Sequence, residues 1–404
     1  MFFSPHSLHA SVISSLAHKA SVRTQILAHV LKAPRRDTGP KLLGLPKLAA
    51  PGAPAAPPPD DMIAISLPTV SLATNFDAYI GIQFQGADLS TQPTMLVLDS
   101  GNSMLIVPRW EDIIAINGWY SSYTILGTTH EPWGCPVNIV RGPIQIPTSS
   151  GDLFLIPDCV FYACTADNPD TSQEPRTANF GAACLNPWTS SGWNTPSSSL
   201  TLMAPLAYNT AYPYARFTYA VDGGMFGAAG TPTVTPSCTL TLSKNPPTGV
   251  TWMNILPNEI WMTLTAQSLS IAGKPSVWPG KLVNPLAVID TGGGPIFLSD
   301  PNGTIYNSDG NDAAVSPGWI SASTNCQCIR DAIDVTLTDG NSSVSYVVDT
   351  SARPRPARGL TLVMCEINSY MSGCDGMNIG GVSFLFNDLV IDYVNARLAL
   401  IKKT

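Results

Sequence analysis

The 404-residue sequence predicts an all-β protein of two related lobes. Three observations carry this expectation. From Met62 onward, short alternating or continuous apolar runs follow one another between turn residues, which is the pattern of strands. Convincing helical periodicity is nearly absent from the same region. Two of the apolar runs, TMLVLD and LAVID, lead into Asp-Ser/Thr-Gly turns at Asp99-Ser100-Gly101 and Asp290-Thr291-Gly292, 191 residues apart. An acidic residue capping a buried strand is costly unless something uses it. Two copies predict a two-lobed protein that brings two carboxylates together.

In chain order the expected strands are AYIGIQF, TMLVLD, MLIVP, NIVRGPIQI, DLFLIPDCVFYA, IWMTLTAQSLSIAG, LAVID, AIDVTLTDG, VSYVVD, GLTLVM, DLVIDYV and RLALI. A chain of this length exceeds one small core and accommodates two domains of ordinary size. The expected division is an N-terminal extension over 1–61, a first lobe over 62–225 with Asp99, and a second over 226–404 with Asp290. An internal echo supports two related lobes. After each Asp-Ser/Thr-Gly comes an Asn-apolar-Gly, Asn179-Phe180-Gly181 in one half and Asn378-Ile379-Gly380 in the other.

Charge and composition exclude several function classes. Charged residues are only 12% of the chain, and no apolar run approaches the length that spans a bilayer, so no transmembrane segment is expected. Residues 1–59 carry a net charge of +6 and the remainder −13, which disfavours nucleic acid as a partner of the body. Four of the five histidines, His6, His9, His18 and His29, lie in the extension. His130 alone remains in the body, so a multi-histidine metal site is impossible there and a Ser-His mechanism would rest on one residue. His130 sits in the turn-like THEPWG and is expected to be exposed. No metal and no cofactor is expected.

All nine cysteines lie in the body, which leans towards an oxidising or extracellular compartment and disulfide bonds, although an odd number leaves at least one outside any intramolecular pair. Cys326 and Cys328 form a C-x-C; without a second such pair or nearby histidines, a disulfide or buried thiol is expected there, not zinc. Sequons stand at Asn302 and Asn341. The extension has apolar residues at helical spacings over 8–31, then a Pro- and Ala-rich linker. It has no clear secretory signal, and a prosegment, a transit peptide and a disordered tail remain open.

The body resembles the pepsin-like aspartic peptidases from about Tyr79 to Ile401. YIGIQFQG is similar to the family's opening strand, DSGNSMLIVP to its first catalytic loop and the strand after it, and AVIDTGGGPIFLS to its second. NIGGVSFLFNDLVIDYVNARLALI resembles the last hydrophobic-Gly turn and the final hairpin, with Asp392 and Arg397 in an Asp-x-x-x-x-Arg-x-apolar pattern. The resemblance implies an all-β bilobal fold with the active-site cleft between the lobes. It implies an aspartic endopeptidase, a monomer acting on polypeptides, with Asp99 and Asp290 as catalytic residues. Ser100 and Thr291 would brace the two loops against each other, and Gly101 and Gly292 would let backbone approach the carboxylates. Trp133-Gly134 stands where the family's flap carries Tyr-Gly over the cleft.

Three positions depart from the family, one of them, Gly381 in place of the acid usual after the last hydrophobic-Gly turn, concerning fold more than chemistry. Asn102 stands where a Ser follows the first Gly, and Gly293 where Ser or Thr follows the second. Those hydroxyls help to hydrogen-bond the outer carboxylate oxygens, so a shift in the pair's protonation is expected. The alternative to a peptidase is a weak or inactive homologue that binds peptides or proteins in the same cleft.

Overall fold

The computed structural model describes residues 61–67, 69–71, 76–85, 93–116, 118–130, 136–165, 179–184, 204–221, 236–256, 262–271, 274–275, 285–292, 296–299, 326–329, 333–348, 363–366 and 376–403. These residues form three sheets. The helical content among them is one four-residue α-helix, Glu111–Ile114, with short 3₁₀ turns. No helix among them is long and apolar enough to cross a membrane.

The first sheet has eight strands in the order Thr69–Ser71, Phe76–Phe84, Thr94–Asp99, Asn179–Gly181, Leu105–Val107, Leu153–Cys164, Pro136–Pro147 and Thr124–His130. Phe76–Phe84 also pairs with Pro136–Pro147, which curls the sheet back on itself. Period-two alternation explains why these runs are strands. Ala78, Ile80, Ile82 and Phe84 point into the core while the residues between them are half-buried. Fully burying such a side chain stabilises the fold by roughly 1.5–3 kcal/mol.

The second sheet has nine strands. Its central path runs Val363–Glu366, Ile296–Ser299, Gly376–Ile379, Leu286–Ile289, Thr263–Ile271, Ile333–Thr338 and Ser343–Val348. The two sheets repeat one connection. Thr94–Asp99 runs parallel to Asn179–Gly181, which is antiparallel to Leu105–Val107, itself parallel to Leu153–Cys164. Leu286–Ile289 runs parallel to Gly376–Ile379, which is antiparallel to Ile296–Ser299, itself parallel to Val363–Glu366. The short sequence echo is therefore a topological repeat.

A third sheet joins the halves in the order Met62–Leu67, Pro236–Ser243, Tyr214–Val221, Asn387–Asp392, Arg397–Lys402 and Met253–Asn254. Tyr214–Phe217 pairs with Leu389–Asp392, so the end of the chain is stitched to its middle. The final hairpin holds Asp392 opposite Arg397, and the guanidinium Nη2 lies 2.5 Å from the buried carboxylate. Burial raises the Asp392 pKa, but hydrogen bonds from Asn395 and Arg397 outweigh it and hold the carboxyl below its ordinary value. Asp388, also buried, faces Arg216 and Lys403 in the same sheet.

Four of the nine cysteines have described side chains. No disulfide occurs among the described residues, and Cys159, Cys164, Cys184 and Cys238 are buried thiols. Burial pushes the Cys184 and Cys238 thiols up to about 12, so they act as small apolar packing groups. Cys135 and Cys374 lie outside the described residues, as do residues 1–60, with the helical and linker segments expected there. His130 ends its strand and is exposed.

Candidate active site

Each Asp-Ser/Thr-Gly turn follows a strand whose apolar residues are buried in its own lobe. Leu96 and Leu98 anchor the first, and Ala287, Val288 and Ile289 the second. The chain then turns at the lobe boundary, and the two turns meet there. The Ser100 amide donates to Thr291 Oγ1 at 2.9 Å, and the Thr291 amide donates to Ser100 Oγ at 2.9 Å. Each hydroxyl donates in turn to the opposite strand, Ser100 to the Ile289 carbonyl and Thr291 to the Leu98 carbonyl. Four hydrogen bonds thus cross between the loops, related by the same pseudo-symmetry as the sheets. Both hydroxyl residues are fully buried, and all these donors are satisfied.

This clasp puts each glycine against the other loop's carboxylate. A Cβ on Gly101 would lie 2.6 Å from Asp290 Cγ, and one on Gly292 would lie 2.8 Å from Asp99 Cγ. No side chain fits at either position. The glycines let the loops approach the carboxylates, and the tighter constraint comes from the opposite loop. The local effect is present too, because the Gly101 amide donates to Asp99 Oδ1 at 2.8 Å.

Asp99 and Asp290 are 4% and 7% exposed, so both carboxylates are held in a largely desolvated interface. Asp99 Oδ2 accepts from Asn179 Nδ2 at 2.9 Å, and Asp290 Oδ2 accepts from Asn378 Nδ2 at 2.7 Å. Asp290 Oδ1 is buried and accepts no hydrogen bond from the described residues.

Asp99, Ser100, Gly101, Asp290, Thr291 and Gly292 are therefore brought together at one point. Asn102 is beside them, but its Oδ1 accepts from the Met104 amide at 2.7 Å within its own loop. Gly293 lies outside the described residues. So do Trp133 and Gly134, although the strands on either side of them, Thr124–His130 and Pro136–Pro147, pair as an antiparallel hairpin. Sequence reasoning missed Asn179 and Asn378 as site residues. Their signal was the repeated Asn-apolar-Gly, which was read as evidence of duplication and not of chemistry.

No protein-family model matches the chain, and no curated protein matches it in sequence. Among solved structures it is similar to basic 7S globulin from soybean, with a TM-score of 0.52 at 10% identity, over 86% of this chain and 96% of that one. At that identity the likeness is one of fold. The all-β bilobal architecture is pepsin-like, as the resemblance in sequence implied.

Proposed function

We infer that the chain is an aspartic endopeptidase in which Asp99 and Asp290 act as one acid–base pair, with residues 62–225 and 226–404 as the two lobes. The observation that carries this reading is the clasp: two loops cross-tied through Ser100 and Thr291, with each glycine against the opposite carboxylate. Packing of this kind keeps two desolvated carboxyl groups in one small volume. Two such groups do not both ionise readily, so they share a proton over an acidic range.

The chemistry follows from that shared proton. The ionised carboxylate takes a proton from water as the water oxygen forms a bond to the peptide carbonyl carbon. The protonated partner gives its proton to the carbonyl oxygen, and a tetrahedral diol results. As the C–N bond breaks, the carboxyl that gained the water proton protonates the leaving nitrogen. The other removes a proton from a diol hydroxyl, leaving a carboxylic acid and an amine. No covalent intermediate forms, and the pair returns to its starting protonation.

The test is hydrolysis of an unfolded protein at acidic pH and its inhibition by a statine-type transition-state mimic. Hydrolysis blocked by the mimic supports the reading. Peptide binding without hydrolysis across the acidic range replaces it with the binding homologue.

A further inference from the structure

Asn179 and Asn378 hold equivalent places in the two lobes. Asn179 pairs with Val97 and Asn378 with Val288, in each case two residues before the aspartate. Side chains two residues apart on a strand share a face, so each amide lies diagonally beside its carboxylate. Both donate Nδ2 to Oδ2 of that carboxylate, at 2.9 and 2.7 Å. A Cβ on Gly101 would lie 2.7 Å from Asp290 Oδ1 and 2.9 Å from its Oδ2, one on Gly292 would lie 3.0 Å from Asp99 Oδ1, and the Gly101 amide already holds Asp99 Oδ1; Oδ2 is taken as the outer oxygen of each carboxylate. The amides therefore grip the outer oxygens.

The cost of this arrangement is visible. Asn179 Oδ1 and Asn378 Oδ1 are both buried without a hydrogen-bond partner among the described residues. A leucine, branched at Cγ as asparagine is but larger, would carry no such unsatisfied atom. Two positions far apart in sequence accept the same penalty for the same contact. Asn102, which occupies the place of a hydroxyl donor, has its Oδ1 engaged by its own loop.

We propose that Asn179 and Asn378 are positioning residues of the acid–base pair. Each fixes one carboxylate by a charge-assisted hydrogen bond to Oδ2 and so sets the plane in which that carboxylate faces the opposite loop. This rests on the peptidase reading for its catalytic meaning, but not for its effect on the carboxylates. Within the described residues 94–107, 179–184, 285–292 and 376–380, the other titratable side chain is Cys184, whose thiol donates to the Asp392 carbonyl.

The experiment compares wild type with Asn179→Leu and Asn378→Leu. Each substitution removes an unsatisfied buried oxygen but also strands the carboxylate Oδ2, so the melting temperature is read beside the titration and not in place of it. Loss of a donor to the charged form raises the carboxyl pKa, so the acidic limb of the rate profile moves up by on the order of one pH unit. At the wild-type optimum kcat falls about tenfold while KM holds. Carbon-13 titration of the Asp99 and Asp290 carboxyl groups reads the same upward shift without any assay of activity. An unchanged titration in both variants overturns the proposal, as does a lowered melting temperature with an unmoved limb, the mark of a purely structural amide. If the leucine variants do not fold, Asn179→Ala and Asn378→Ala are titrated in the same way. Wild type that titrates as expected but never hydrolyses peptide overturns the peptidase reading and leaves this inference standing.

Discussion

Ser100 and Thr291 exchange hydrogen bonds across the lobe boundary, each amide donating to the other's hydroxyl at 2.9 Å. Because the same hydroxyls also donate to the Ile289 and Leu98 carbonyls, two side chains satisfy four backbone groups drawn from both lobes. Thr291→Val keeps the shape but strands the Ser100 amide and the Leu98 carbonyl. The expected loss is roughly 1–3 kcal/mol of stability, read from denaturant unfolding. Ser100→Ala behaves alike, and the double variant loses less than the sum of the two, because the bonds form one network.

Gly101→Ala tests the carboxylate packing directly. The new methyl meets the Asp290 carboxyl at 2.6 Å, so either the loop or the aspartate must shift. Displacement by about 1 Å costs on the order of a hundredfold in rate. A variant with wild-type kcat would show that the two carboxylates do not act as one site.

Asp99→Asn and Asp290→Asn keep the side-chain shape and remove the exchangeable proton. Each is expected to lower proteolysis by roughly a thousandfold or more. Circular dichroism and the melting transition should show a folded protein in both cases. Full activity in either single variant rules out the pair.

The rate should trace a bell in pH with its maximum below neutrality, since one carboxyl must be ionised while the other keeps its proton. The limbs belong to the pair and not to either residue. A flat profile from acidic to neutral pH would count against shared-proton chemistry.

Asp392 contributes to stability above the acidic range. Its folded pKa lies below the ordinary carboxylate value, so its contribution is present above that ordinary value and is lost as pH falls through the lowered one. The final hairpin is thus built to survive mildly acidic conditions. Arg397→Met leaves the buried carboxylate without its cation and should cost about 2–3 kcal/mol, less than for a fully buried pair because Arg397 is partly exposed. Melting temperatures of wild type and variant should converge as the pH drops through the titration of Asp392.

Much of the strand order was legible because buried strands write their burial into composition. FDAYIGIQF, TMLVLD and NDLVID carry their apolar residues where the core needs them. Met62–Leu67, Tyr214–Val221 and Pro236–Ser243 were not singled out, although Phe217 alternates with Tyr219 and Leu240 with Leu242 on the buried face. Their polar neighbours dilute the pattern, and they are strands because they pair with one another and with the end of the chain. Thr124–His130 is mostly exposed and has no apolar face to read; its pairing with Pro136–Pro147 alone makes it a strand. Burial, which composition does not report, leaves Cys159, Cys184 and Cys238 as packing groups.

By itself the sequence determined the all-β class, the duplication and the six loop residues that meet at the lobe boundary. Those features are local: apolar period, turn residues and a repeated motif. The tertiary structure alone decided that the glycine of each loop is required by the opposite carboxylate, and that the hydrogen bonds to the outer oxygens come from Asn179 and Asn378. Asn179 is 80 residues from Asp99 and Asn378 is 88 from Asp290, and only the parallel pairing of the strands brings each amide within 3 Å of its carboxylate. The repeated Asn-apolar-Gly marks the two asparagines, but which group each amide meets is fixed by register across the sheet, which depends on the packing of the whole lobe.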